Sequence, residues 1–246
     1  MEQEKTTYIY GIRAILEAIE SGEEISKVYL LKDGDGVLLN NLKTQARNNK
    51  ITTSFVPIEK LDHLAKGNHQ GAVAAISPIT FASLEDILEL HNETEKSIYL
   101  LLDGVTDVRN FGAIIRTAAC TGVKAIVIAA QGSAPINAAT VKTSAGAAFS
   151  MPICKVDHIK DAVFLMQSYG ITTFGATEKS SDIIYDVDAN KSVALVMGSE
   201  DKGINPSTLK VLDYKVKLPM KGEIDSLNVS VACGALLYEI LRQQNS

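Results

Sequence analysis

Three short stretches gather polar side chains that could do chemistry, and each one follows an apolar run. In Asn110-Phe111-Gly112-Ala113-Ile114-Ile115-Arg116 an amide and a guanidinium share a helical pattern. In Gly198-Ser199-Glu200-Asp201-Lys202-Gly203 two glycines bracket a carboxylate, and glycine permits positive φ and close approach of backbone to a ligand. Ser226-Leu227-Asn228-Val229-Ser230 stands where a polar loop runs into an apolar helix, a position that invites capping. The glycine loop is neither a dinucleotide fingerprint nor a phosphate loop, because G-x-G-x-x-G and a terminal G-K-S/T are both missing. His63, His69, His91 and His158 all lie outside these stretches, so acid–base chemistry by histidine has no support. Cys120, Cys154 and Cys233 are far apart and form no C-x-x-C or Cys/His cluster; a metal site is not expected, and all three read as buried small hydrophobes.

Each candidate has a plainer alternative. Asn110 reads equally well as the N-cap of its helix. Arg116 could be a solvated surface arginine, but its neighbours, Gly112 to Ile115 and Thr117 to Cys120, are mostly small or apolar. An arginine in such a surface usually has an anionic partner. The glycines could simply form a tight turn after a strand, and Glu200, Ser226 and Asn228 could order loops without touching a ligand.

A parallel α/β scaffold is what would bring these stretches together. From Ser97 onward apolar strands (98–102, 125–129, 171–175, 193–197, 215–218) alternate with helices (near 110–121, 157–168, 206–213, 228–242). Continuous apolar strands between helices signal a parallel sheet covered on both faces, which binds ligands at the carboxyl ends of its strands. Every candidate stretch falls just after a strand. Residues 8–77 read as a smaller α/β unit, with helices at 11–20, from Leu38 and at 58–66, and strands at 28–31, 51–56 and 72–76. Between the two lies a connector, 78–96, containing a short helical pattern and the polar run His91 to Lys96.

Bulk properties narrow the field. The chain has 246 residues, 46% apolar and 22% charged, an ordinary globular balance. No apolar run approaches the roughly 20 residues of a membrane helix, and the charged residues 1–5 do not resemble a secretory signal, so a cytoplasmic protein is expected. The net charge of −5 speaks against non-specific coating of nucleic acid, but local patches set the field at a site.

Together and in this order, the three stretches resemble the three motifs of the SpoU/TrmH family of S-adenosylmethionine-dependent RNA ribose 2′-O-methyltransferases. The resemblance implies an α/β fold with a C-terminal parallel-sheet methyltransferase domain (97–246) tied in a deep trefoil knot, the SPOUT fold. It also implies a smaller N-terminal RNA-binding domain (1–77), and a homodimer packed through helices of the knot region. Gly198, Leu218, Met220 and Leu227 would line the S-adenosylmethionine pocket, with Thr177 closing one wall and Ser226 serving the cofactor or nearby backbone. Arg116 would act on the ribose hydroxyl, with Asn110, Glu200 and Asn228 completing the catalytic set. Because a guanidinium pKa exceeds about 12, orienting the hydroxyl and stabilising the developing alkoxide suits Arg116 better than proton abstraction. Lys142 would meet RNA phosphate. One departure is Asp107-Val108-Arg109-Asn110, where many relatives carry a proline soon after the aspartate.

Tyr10-Gly11, His69-Gln70-Gly71 and Leu102-Asp103-Gly104-Val105-Thr106-Asp107 resemble the family's ribosomal RNA branch, which methylates a guanosine in the P loop of 23S ribosomal RNA. The transfer-RNA guanosine branch is the nearest rival. A ribosome-assembly binder that kept the fold but lost the chemistry is a third reading. A nicotinamide-dependent oxidoreductase is not supported without a fingerprint loop.

Overall fold

The computed structural model describes residues 7–92, 94–222 and 226–246; the charged residues 1–5, Glu93 of the polar run and 223–225 of the loop before Ser226 lie outside the described residues. The chain divides into two units, Met1–Thr80 with Pro135–Ala139, and Phe81–Ala134 with Thr140–Ser246.

The first unit runs β1 (Tyr8–Tyr10), α1 (Ile12–Glu20), β2 (Ile25–Leu31), α2 (Val37–Asn48), β3 (Thr53–Val56), α3 (Ile58–Leu64) and β4 (Ala72–Ile76). Its sheet has the order β1-β4-β2-β3, with β4 antiparallel to both neighbours and β2 parallel to β3. β1 carries no apolar run of its own in the sequence; it is recruited by pairing with the buried β4. Two sequence signals meet at the start of α1. Gly11, its N-cap residue, has no side chain to offer, and Gln70 Oε1 accepts from Ile12 N at 3.3 Å instead. His69 is buried, accepts from Gly71 N at 3.0 Å through Nδ1, and sets Nε2 3.0 Å from Asp62 Oδ1. It therefore closes the turn into β4.

The second unit runs α4 (Leu84–Glu89), β5 (Ile98–Asp103), α5 (Val108–Cys120), β6 (Ala125–Ala129), α6 (Ala138–Thr143, whose first two residues are grouped with the first unit), β7 (Ile153–Val156), α7 (Ile159–Ser168), β8 (Thr172–Ala176), β9 (Val193–Gly198), α8 (Pro206–Leu209), β10 (Tyr214–Val216) and α9 (Val229–Gln244). Its strands form one parallel sheet in the order β10-β8-β9-β5-β6-β7. This is the expected class of fold: one α/β unit with a parallel sheet and one smaller α/β unit. Tyr99, Leu101, Val127 and Val196 point to one face, where α4 and α7 contribute Leu88, Val163 and Met166. Leu100, Ile126 and Leu195 alternate with these and are equally buried. Each such side chain contributes about 1.5–3 kcal/mol by leaving water.

Several details differ from the sequence reading, which included neither β1 nor α6. α5 begins at Val108, and its N-cap is Asp107 rather than Asn110: Asp107 Oδ1 accepts from Arg109 N at 2.9 Å and Asn110 N at 2.8 Å. α8 stops at Leu209 because Leu212 turns into the core and Asp213 Oδ2 accepts from Thr173 N and Oγ1 at 2.8 and 2.7 Å. β7, which Pro152 and Lys155 disguise in the sequence, extends the sheet beyond β6. Cys120 is exposed, as the last residue of α5, while Cys154 and Cys233 are buried.

The cysteines give a simple test. Burial, with the charge of Glu85 adding to it, pushes the Cys154 thiol up to about 11, and burial pushes Cys233 up to about 12. Because the thiolate is the nucleophile, iodoacetamide at pH 8 should modify Cys120 in the native protein. Cys154 and Cys233 should react only after denaturation, which peptide mass mapping would reveal.

Candidate active site

β5 and β9 are neighbours whose connections leave in opposite directions, through α5 towards β6 and through α8 towards β10. Such a switch point opens a crevice beyond the carboxyl ends of the strands. At those ends Asp103 pairs with Gly198, and Asp103 Oδ2 accepts from Asn205 N at 2.9 Å, fastening the loop after β9 to β5.

That loop is a tight turn. Ser199 N donates to Gly203 O at 3.1 Å and Gly203 N donates to Ser199 O at 3.0 Å. Gly203 sits at φ +69 with open space where a Cβ would be. Gly198 is different: a Cβ there would fall on the backbone of Gly203 and Ile204. The chain's own backbone therefore demands glycine at 198, and the tight-turn reading of this stretch holds alongside any role in binding.

The turn presents Glu200 to the start of α9. Asn228 is the N-cap of that helix, its Oδ1 accepting from Ser230 N at 3.0 Å and Ser230 Oγ at 2.6 Å. Its Nδ2 donates to Asn110 Oδ1 at 3.0 Å and to Glu200 Oε1 at 2.7 Å. One amide thus ties together the first turn of α5, the loop after β9 and the first turn of α9. Arg116 is not part of this cluster. It is exposed on α5, and among the described residues its guanidinium has no hydrogen bond or ion pair.

A cavity of about 460 Å³ opens beside the cluster. Thr177, after β8, and Gly198 and Glu200, after β9, form one side; Leu218 and Met220, after β10, and Ser226, Leu227 and Asn228 form the other. All six residues expected at a cofactor site line it. Val229, Ala232 and Leu236 of α9 also line it, all within the stretch from Leu218 to Tyr238 that runs into the last helix, together with Glu178 and Lys217, which sequence reasoning did not single out. The only signal for these two was position: Lys217 directly follows β10, and Glu178 comes two residues after β8. Met220 and Leu227 are 39% and 42% exposed, so the cavity has apolar walls still open to solvent.

The loops after β8, β9 and β10 and the start of α9 thus enclose a cavity at the carboxyl ends of parallel strands, where sheets of this kind bind ligands. The SpoU rRNA Methylase family model matches residues 97–238, and a model described as RNA 2′-O ribose methyltransferase substrate binding matches residues 8–82. The chain belongs to the SpoU/TrmH methyltransferase family. It is 32% identical to YacO of Bacillus subtilis, placed in the TrmH family of tRNA/rRNA methyltransferases, over 97% of this chain and 96% of that protein. The SpoU methyltransferase AviRb from Streptomyces viridochromogenes, in complex with the cofactor AdoMet, superposes with a TM-score of 0.61 at 25% identity, covering 97% of this chain and 90% of that one. The A. aeolicus TrmH/SpoU tRNA modifying enzyme superposes with a TM-score of 0.56 at 31% identity, covering 66% of this chain and 82% of its own.

The shared amide yields a graded prediction. Asn228→Ala removes a helix cap worth about 1 kcal/mol, so a fall in Tm of roughly 2–4 °C is expected by calorimetry. Asn228→Asp keeps the cap but sets a carboxylate against Glu200 and can no longer donate to Asn110. Asp should therefore lose at least as much cofactor affinity as Ala while losing less stability.

Proposed function

We propose that this chain transfers a methyl group to the ribose 2′-hydroxyl of a guanosine in 23S ribosomal RNA. The methyl donor is S-adenosylmethionine. The observation that carries the reading is the Asn110–Asn228–Glu200 cluster at the rim of a cavity of about 460 Å³, a size within the range of small-molecule sites. Leu218, Met220 and Leu227 offer apolar contact for the adenine, and Thr177 and Ser226 offer polar contact for the rest of the cofactor. When bound, S-adenosylmethionine supplies an electrophilic methyl on its sulfonium. The protein's own work is alignment, which is worth several kcal/mol. Asn228 holds Leu227 and the start of α9 in place, Glu200 and Asn110 hold Asn228, and Arg116 orients the hydroxyl and stabilises the alkoxide. Exposure leaves the Arg116 guanidinium open to RNA, and Lys142, also exposed, meets a phosphate.

Two copies pair through the outer side of α9, where Val231 and Tyr238 are each 55% exposed while Cys233, Leu237 and Ile240 face the core. The methyltransferase domain is tied in a deep trefoil knot. Tyr10-Gly11 and His69-Gln70-Gly71, joined at the start of α1, support the ribosomal RNA branch. The likeness to the A. aeolicus tRNA modifying enzyme favours a second reading, with transfer RNA as substrate. Labelled S-adenosylmethionine offered with undermethylated 23S ribosomal RNA, and separately with transfer RNA, decides between them. Label in the ribosomal RNA is the expected result. Label in transfer RNA alone moves the assignment to the second reading, and cofactor binding without transfer to either leaves a non-catalytic RNA binder.

A further inference from the structure

The sheet of the first unit has two unlike faces. α1 and α2 cover one, burying Val28, Leu30, Ala72 and Ala74. On the other, α3 lays Leu61 against Val73, with Leu31 and Val56 beside them. Tyr8 and Tyr29 pack against the same cluster while staying partly exposed. Strand register sets Tyr10 and Tyr29 on either side of Val73, and Tyr8 and Lys27 on either side of Ala75. Directly paired residues share a face, and neighbouring strands lie about 4.8 Å apart, so Tyr10 and Tyr29 stand roughly 10 Å apart across β4. Tyr10 is 44% exposed, and its ring lies so close to Gly67 that a Cβ there would sit 2.8 Å from Cε2. Tyr8 and Tyr29 are partly buried. Lys27 Nζ lies 5.3 Å from the centroid of the Tyr29 ring.

This face offers three aromatic rings with polar tips and an ammonium among them. Rings accept stacked bases whatever their identity, and a neighbouring cation meets the phosphate. Folded RNA presents such bases in loops and bulges, where they are not stacked in a helix. We infer that Tyr8, Tyr10, Tyr29 and Lys27 form a stacking platform for unpaired bases of the RNA substrate. This rests on the RNA methyltransferase reading above, and the substrate-binding model matched over residues 8–82 makes RNA the occupant.

The test uses the full chain and two fluorescent RNAs: a single-stranded oligoadenylate 12-mer and a 12-base-pair duplex. The wild type should bind the single strand more tightly than the duplex. Tyr10→Leu and Tyr29→Leu should each weaken single-strand binding roughly tenfold, while Tyr10→Phe and Tyr29→Phe keep it. Unchanged S-adenosylmethionine affinity and Tm confirm that the variants fold. Equal binding by the Leu variants and wild type overturns the platform, and so does a loss in the Phe variants as large as in the Leu variants. Changed self-association with unchanged RNA binding would mark the face as a protein interface and also overturns it. Methyl transfer by the wild type, run in parallel, reports separately on the reaction.

Discussion

Arg116→Ala should lower methyl transfer roughly 10²–10³-fold, the usual loss when one preorganised donor to a developing oxyanion is removed, while cofactor affinity stays at the wild-type level. The separation follows from geometry. Arg116 is exposed on α5 and outside the cavity lining, whereas every residue expected to hold the cofactor lies in that lining. Because its side chain is exposed, its removal leaves no cavity in the core and should change stability by no more than about 0.5 kcal/mol. Arg116→Lys keeps the charge but loses the planar fork of donors, and it should recover only part of the rate. Single-turnover kinetics at saturating RNA, beside calorimetric titration of S-adenosylmethionine, would check both halves. A variant that transfers at the wild-type rate would leave Arg116 as a surface arginine.

Gly198→Ala should have the second large effect, and the opposite signature. Its methyl would collide with the backbone of Gly203 and Ile204, atoms that cannot swing aside as a flexible side chain could. Relief requires opening the Ser199–Gly203 turn, which carries Glu200 towards or away from Asn228. Overpacking of this kind costs about 1–3 kcal/mol, which corresponds to cofactor binding weakened roughly 5- to 150-fold if the strain falls on the bound state. Gly203→Ala is the control: the space is open, and the cost is that of a left-handed residue at φ +69, about 1–2 kcal/mol. Gly203→Asn, which tolerates that conformation, should lie closest to wild type. Titration of S-adenosylmethionine into the three variants ranks them. Equal affinities for Gly198→Ala and wild type would show that the turn does not shape the pocket.

The fold was legible where burial is continuous. Val193 to Met197 and Ile98 to Leu102 could only be central strands, and both are, because a parallel strand covered on two faces leaves no position for a polar residue. β7 was not legible, since an outer strand tolerates Lys155 and follows Pro152. The cap of α5 was misread because Asp107 and Asn110 are both good capping residues, and only the hydrogen bonds to Asp107 separate them. The residues that line the cavity were singled out through motif and position together. What spacing could not show is the bond between Asn110 and Asn228, 118 residues apart, which depends on how α5 and α9 pack. Nor could it show that Gly198 answers to its own backbone. The split of α9 into a core side with Cys233, Leu237 and Ile240 and an exposed side with Val231 and Tyr238 likewise emerges only from packing, because the helix is apolar nearly all round.

The central claim is the position of the methyl group. The most direct measurement is nucleoside mass spectrometry on RNA methylated in vitro by the wild-type protein. Undermethylated 23S ribosomal RNA would be incubated with S-adenosylmethionine, digested completely and searched for ribose- and base-methylated species. The expected product is 2′-O-methylguanosine, formed roughly 10²–10³-fold more slowly when Arg116→Ala replaces the wild type. Methylation found on a base, with every ribose unmodified, would contradict it.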